Sequence, residues 1–343
     1  MSSRALEKLS DEALLARPLN SLGLSIQGSP LEPRVEALFG ELERAGLRFR
    51  PRVWLSTEWF SPNGVPGLAI PFYLAHPRLV RMEKRRMLHA EGSERSECMR
   101  LLRHEAGHAI DNGFRLRRRK RFRETFGSAS APYRATYVPN PRSKRFVHNL
   151  DSFYAQSHPI EDFAETFAVW LQPGSDWKTH YANWPARAKL EVVDNWMDEL
   201  RDTPQPVKSR ARVDPIERTK LTLAEYFERK QDYYRQDSRE NEREVTAYYG
   251  LDRLFSADPS HRSRETGATF LRRYRVRLRE RVSNLTGQHP FVVDQALREM
   301  IQAASKRGLR CRRSQNETQL DAVALLSART MQFLVEGRKT YVR

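Results

Sequence analysis

One five-residue pattern constrains this chain more than any other feature. It is His104-Glu105-Ala106-Gly107-His108, set in a stretch from Ser93 to Asn112 that reads as a helix stopping at Asn112-Gly113. Two imidazoles four residues apart on a helix project from one face, at a separation that one zinc ion can bridge. Glu105 lies beside them and is placed to accept a proton from a water activated by that metal. The structural alternative is two histidines satisfied by backbone or carboxylate partners, so a third ligand would decide between the two readings.

The metzincin continuation is absent, because Asp111 stands three residues after His108 and Phe114 six after it. A second helix is expected from Pro159 to Pro173-Gly174, and it carries Glu161 and Glu165 four apart, with both carboxylates free to face the first helix. Phe163, Ala164, Phe167, Ala168, Trp170 and Leu171 make most of that helix apolar. A buried helix rarely holds two acids without a partner, and a cation is an obvious one. Glu161 is taken as the third ligand and Glu165 as the carboxylate that receives the free N–H of a ligating histidine, although the spacing also permits the reverse order. His148 and His158 precede this helix. His158 occupies the N-cap position, where a structural role is adequate, and nothing in the spacing requires His148 at the metal.

The combination of HEAGH, a spacer of some fifty residues and HPIEDFAETFAVW resembles a bacterial family of zinc-binding metallopeptidases of gluzincin type. More distantly it resembles the catalytic domains of anthrax lethal factor and of the Pro-Pro endopeptidases. The resemblance covers roughly residues 50 to 200, and its specific part is confined to the two helices and the segment before the second. In the wider group a tyrosine seven residues before the glutamate ligand contributes to the site. Tyr154 stands at that position here, so the resemblance implies that it donates a hydrogen bond to the oxyanion of the reaction.

These readings predict an α+β fold, with a zincin-like catalytic domain of small mixed sheet and active-site helices followed by a mainly helical accessory region. Residues 1–30 form an N-terminal helical and extended segment, 31–205 the metallopeptidase domain and 214–343 the accessory region. Strands are expected over Phe49–Thr57 and Gly67–Leu74, the latter being the candidate to pair with an extended substrate. The two prolines of DTPQPVKSR mark the candidate linker. Beyond it, Thr222 and Glu225 form a capping-box pattern. An apolar stripe from Leu271 to Leu285 suggests one helix, although Arg275–Val282 also alternates like a strand, and further stripes run from Val293 to Ala304 and from Leu320 to Leu334.

Charge bears on partners. Lys and Arg number 60 against 43 Asp and Glu, for a net +17, and the excess is concentrated beyond residue 200. Seven of the nine residues from Arg115 to Arg123 are basic; Arg117, Arg118, Arg119, Lys120 and Arg121 are therefore candidate contacts for an acidic substrate or a polyanion, the alternative being a solvated face. Two cysteines, Cys98 and Cys311, suit neither a disulfide framework nor a local metal knuckle. With acids and an arginine where a signal peptide needs an apolar run, and no later membrane-length segment, a cytoplasmic protein is expected. The leading reading is a Zn²⁺ peptidase acting on a peptide or protein. The reading from another class is a basic protein that binds nucleic acid or another partner and whose zinc site is structural or vestigial.

Overall fold

In the computed structural model of the chain, which describes residues 3–134, 137–239 and 250–335, two units separate. The first holds the residues up to Lys84 together with Ala90–Tyr226, and the second holds Arg85–His89 and the residues from Phe227 onward. The fold is α+β and mainly helical; its strands form a parallel pair in the first unit and an antiparallel pair in the second. Among the described residues no helix is long and apolar enough to cross a membrane.

In the first unit, helix α1 (Glu32–Arg44) buries Val35, Leu38 and Leu42, and Gly46, at φ 79°, lets the chain turn away after it. Strands β1 (Arg52–Ser56) and β2 (Gly67–Pro71) pair in parallel with Arg52 opposite Gly67. A Cβ on Gly67 would lie 2.8 Å from the Arg52 carbonyl oxygen, so the ladder can begin only at a glycine. The strand expected to reach Leu74 stops at Pro71, and Phe72–Ala75 curl into a buried 3-10 turn. The substrate-pairing role expected of this strand is corrected too. All five residues of β2 are buried, β1 lies along one side, and Phe60 accepts the Ala69 N–H on the other. The strand is a core element and offers no edge to a ligand.

Helix α2 (Arg95–Phe114) runs through the middle of this unit, with every residue from Leu101 to Phe114 buried. It continues past Asn112-Gly113, where the sequence predicts its end. The reason lies in packing: Asn112 accepts the Gly64 N–H and donates to the Pro62 carbonyl, while a Cβ on Gly113 would come within 3.1 Å of the Phe49 ring. Arg115, in the left-handed conformation at φ 57°, ends the helix instead. Helix α3 (Pro159–Leu171) packs across α2, and helix α4 (Ala186–Leu200) packs on α3, with the Trp170 indole donating to Asp194 at 2.8 Å. Arg103 on α2 holds Glu41 of α1 through two bonds of 2.7 and 2.9 Å. The proline-bearing stretch after α4 is tied down by its backbone: Gly113 accepts the Val207 N–H, and Arg52, Trp54 and Ser56 donate to the carbonyls of Arg210, Val213 and Asp214. The Thr222–Glu225 capping box forms as the sequence suggests.

The second unit has its own core around helices α5 (Gly267–Arg273), α6 (Arg275–Thr286), α7 (Pro290–Lys306) and α8 (Gln315–Val335), with strands β3 (Phe255–Ser256) and β4 (Arg310–Cys311) paired beside them. Leu271, Leu278, Val282, Val293, Leu297 and Met300 are buried together. The single helix expected over Leu271–Leu285 is two, broken at Tyr274, whose backbone leaves the helical region. After that break the register shifts, so that Leu285 is 66% exposed. Arg275–Val282 is helical, which removes the strand alternative.

His289 caps α7 by accepting the Phe291 N–H on Nδ1, and its ring stacks on Tyr234 at 4.3 Å. Burial, with His89 and Lys230 adding to it, holds this imidazole well below the ordinary histidine value of 6.5. The native unit thus keeps His289 neutral where the unfolded chain would bind a proton, so its contribution is complete above pH 6.5 and is lost as pH falls below that value. We expect the melting temperature of this unit to fall between pH 7.5 and 5.5, with a slope from this group of at most about 1.4 kcal/mol per pH unit. In His289→Asn, which retains a capping side chain, calorimetry should show a shallower fall; an equal fall would exclude His289 as the cause.

Candidate metal centre

The site is built where α2 and α3 approach most closely. Gly107 faces Ala164, and a Cβ on Gly107 would stand 2.9 Å from the Ala164 Cα. Only hydrogen fits there, so the helices close until the histidines of one meet the carboxylates of the other. His104 Nε2 and His108 Nε2 lie 3.1 Å apart, and Glu161 Oε2 lies 3.2 Å from the first and 3.0 Å from the second. Four ligands at zinc bond lengths of about 2.0–2.1 Å stand about 3.4 Å from one another in a tetrahedron. The three atoms form one slightly contracted face of such a figure.

The hydrogen bonds behind them set which atoms carry lone pairs. His104 Nδ1 donates to Glu165 Oε1 at 2.8 Å, which leaves Nε2 as the bare nitrogen turned to the cluster. Glu165 is completely buried and also receives the Asn149 side-chain amide and the Leu150 N–H, each at 2.8 Å. Three electron-rich atoms therefore converge in a site almost without solvent, where His104 is 2% and Glu161 6% exposed. Such an arrangement is stable only around positive charge. The proton equilibria agree. Burial opposes charge on His104, yet Glu161 and Glu165 outweigh it and push the imidazolium up to about 10. Burial would raise Glu161, but the two histidines hold its carboxyl well below the usual range. His104, His108 and Glu161 thus form a donor set that fits a cation, and the nitrogen and oxygen donors suit zinc.

Glu105 is 4% exposed on the same helix, the next residue after His104. Tyr154 is brought to the site by the turn Asp151–Gln156, in which Ser152 and Phe153 both take left-handed backbone conformations at φ 62° and 56°. Its ring lies 5.6 Å from that of His104, centre to centre. Two consecutive strained residues persist only where the surroundings hold them, and here Asn149 and Leu150 are fastened to Glu165 just before the kink.

The remaining candidates go elsewhere. His158 caps α3 by accepting the Ile160 N–H, and its Nε2 bonds the Ala131 carbonyl. The His148 ring packs against Phe153 and Trp184 and is not among the three grouped donors. In the basic run, Arg117 turns inward to the buried Asp111 and also donates to Asn63. Arg119 pairs with Glu199 at 2.8 Å and lies over Trp196, and Lys120 approaches Glu124 at 3.5 Å. Arg118 and Arg121 are exposed and make no ion pair among the described residues. Leu116 and Phe122 are fully buried, so the run is an anchored 3-10 turn (Leu116–Arg118) followed by a short helix (Lys120–Thr125).

Two neighbours of the cluster escape sequence reasoning. Tyr133 donates its hydroxyl to Glu161 Oε1 at 2.9 Å while its ring stacks on His158 at 3.8 Å. Burial of the hydroxyl and the carboxylate beside it push its ionisation upward, so it remains a donor. Asp162 turns away from the cluster to Lys189 of α4 at 2.6 Å; burial pushes its carboxyl up to about 7 against the pull of that lysine. No periodicity marks Tyr133, and the acid next to Glu161 reads as a solvated first-turn residue.

Residues 80–200, which contain both helices, match the model of a family described as putative zinc-binding metallo-peptidase. The matched stretch includes the residues that build this site. No curated protein and no solved structure matches it.

Gly107→Ala should cost about 1–3 kcal/mol of stability despite the better helix propensity of alanine, because α2 and α3 must separate. Denaturant titration would show this loss, and metal stoichiometry on the same preparation should fall with it. Tyr133→Phe, which keeps the ring, is expected to weaken zinc binding about tenfold in chelator competition; unchanged affinity would remove Tyr133 from the site.

Proposed function

We propose that this chain is a zinc-dependent metallopeptidase of the gluzincin type, with His104, His108 and Glu161 as metal ligands. The observation that carries the reading is the convergence of those three donors beside Glu105, on the helices matched by the metallo-peptidase family. Three protein donors support catalysis over a structural site, which closes its coordination with four. When bound, zinc supplies Lewis acidity there, polarising a peptide carbonyl and making a water nucleophilic near neutral pH.

The chain's own residues then divide the work. Glu105 takes the proton from the attacking water and returns it to the leaving amine. Tyr154, held against His104, donates to the carbonyl oxygen as negative charge develops on it. Glu165 keeps His104 in the tautomer with a free Nε2, and Tyr133 holds the second oxygen of Glu161. Low solvent exposure strengthens the interactions of Glu105, Glu165 and the histidines.

Elemental analysis of purified protein should find one zinc per chain, lost in folded His108→Ala and Glu161→Ala variants. Glu105→Gln should keep the metal and lose hydrolysis of a peptide library by about 100-fold or more. A folded wild type that stays metal-free with zinc added, or a Glu105→Gln variant with full turnover, would overturn the reading.

A further inference from the structure

The first unit contains a second feature, on the side of α2 turned away from the histidines. Gly113 lies nine residues after His104, roughly half a turn round the helix, and faces Phe49 and Pro66. There the chain forms an open cleft of about 740 Å³. Arg48, Arg50, Arg52, Lys208 and Arg210 line it, against one acid, Asp202. Arg52, Lys208 and Arg210 have no carboxylate partner among the described residues. The Arg48–Asp202 pair is 81% exposed on both sides, so it exchanges readily for another carboxylate.

We propose that this cleft binds an extended acidic polypeptide segment. From Leu47 to Arg52 burial alternates strictly, with Leu47, Phe49 and Pro51 inside and Arg48, Arg50 and Arg52 outside. These alternate positions of an extended segment recur about every 6.6–6.8 Å along the backbone, the repeat of acidic side chains along one side of an extended peptide, and Arg50 bonds Glu36 at 2.9 Å in an exposed pair that, like Arg48–Asp202, exchanges readily for another carboxylate. Lys208 and Arg210, also two residues apart, stand on the other wall, which is held in place by the Arg52 bond to the Arg210 carbonyl and by the Val207 bond to Gly113. The floor argues against single-stranded nucleic acid. Phe49 and Phe114 are 6% and 8% exposed and pack edge to face at 5.9 Å, so neither presents a ring face on which a base could stack. The site is independent of hydrolysis and stands or falls apart from the metal centre.

The test uses the full chain and fluorescein-labelled decaglutamate, followed by anisotropy at low ionic strength. Saturable binding is expected, weakened at least about tenfold in Lys208→Glu/Arg210→Glu and less than about threefold in Arg118→Glu/Arg121→Glu, which changes net charge equally. Circular dichroism confirms that both variants are folded. Equal losses in the two variants, a larger loss in the second, or no saturable binding would each overturn the proposal. So would an oligothymidylate of equal charge that binds more tightly and shows the same dependence on Lys208 and Arg210.

Discussion

The absence of a side chain at Gly107 is the constraint on which the site depends. Helices carrying ordinary side chains pack at about 8–10 Å, and a Cβ at this position would meet the Ala164 backbone within a contact that real atoms do not make. With hydrogen there, α2 and α3 come close enough for four titratable side chains to meet in a region nearly free of water. Desolvating them would be prohibitive if each stood alone. Their arrangement offsets the cost in pairs: Glu165 takes the proton side of His104, and Glu161 completes a three-donor face that fits a cation.

The same electrostatic economy extends outward. Glu165 is held by three donors, two of them from the segment just before the kink that delivers Tyr154. A strained turn can therefore position the tyrosine because the carboxylate that orients the histidine also anchors the strain. On the far side, Asp111 at the C-terminal end of α2 draws in Arg117, and Glu199 draws in Arg119. Two of the seven basic residues in the run are thereby compensated locally. The cleft behind α2 is lined by five cations and one acid, Asp202.

Legibility differs by element for physical reasons. Helix α3 is readable because Pro159 and Pro173-Gly174 act through local backbone rules, and His158 serves as its cap by the same logic. The end of α2 is misread because Asn112 and Gly113, which look like a stop signal, serve as a hydrogen-bonding hub and a close contact. The Leu271–Leu285 stripe is apolar throughout, yet the break at Tyr274 changes the register and exposes its last leucine. A stripe shows that a face exists, but it does not show where along the stripe a neighbouring helix lies.

The placing of His104, Glu105 and His108 on one helix and of Glu161 and Glu165 on another was determined by sequence alone, because a four-residue spacing on a helix is a local geometric fact that holds wherever the helix lies. Which glutamate faces which histidine nitrogen, the inward turn of Arg117, and the hydroxyl of Tyr133 on Glu161 were decided by tertiary structure. So was the cleft, whose two walls come from residues 48–52 and 202–210. Contacts between segments so far apart leave no periodic trace in either one; they exist only once the core between them has folded.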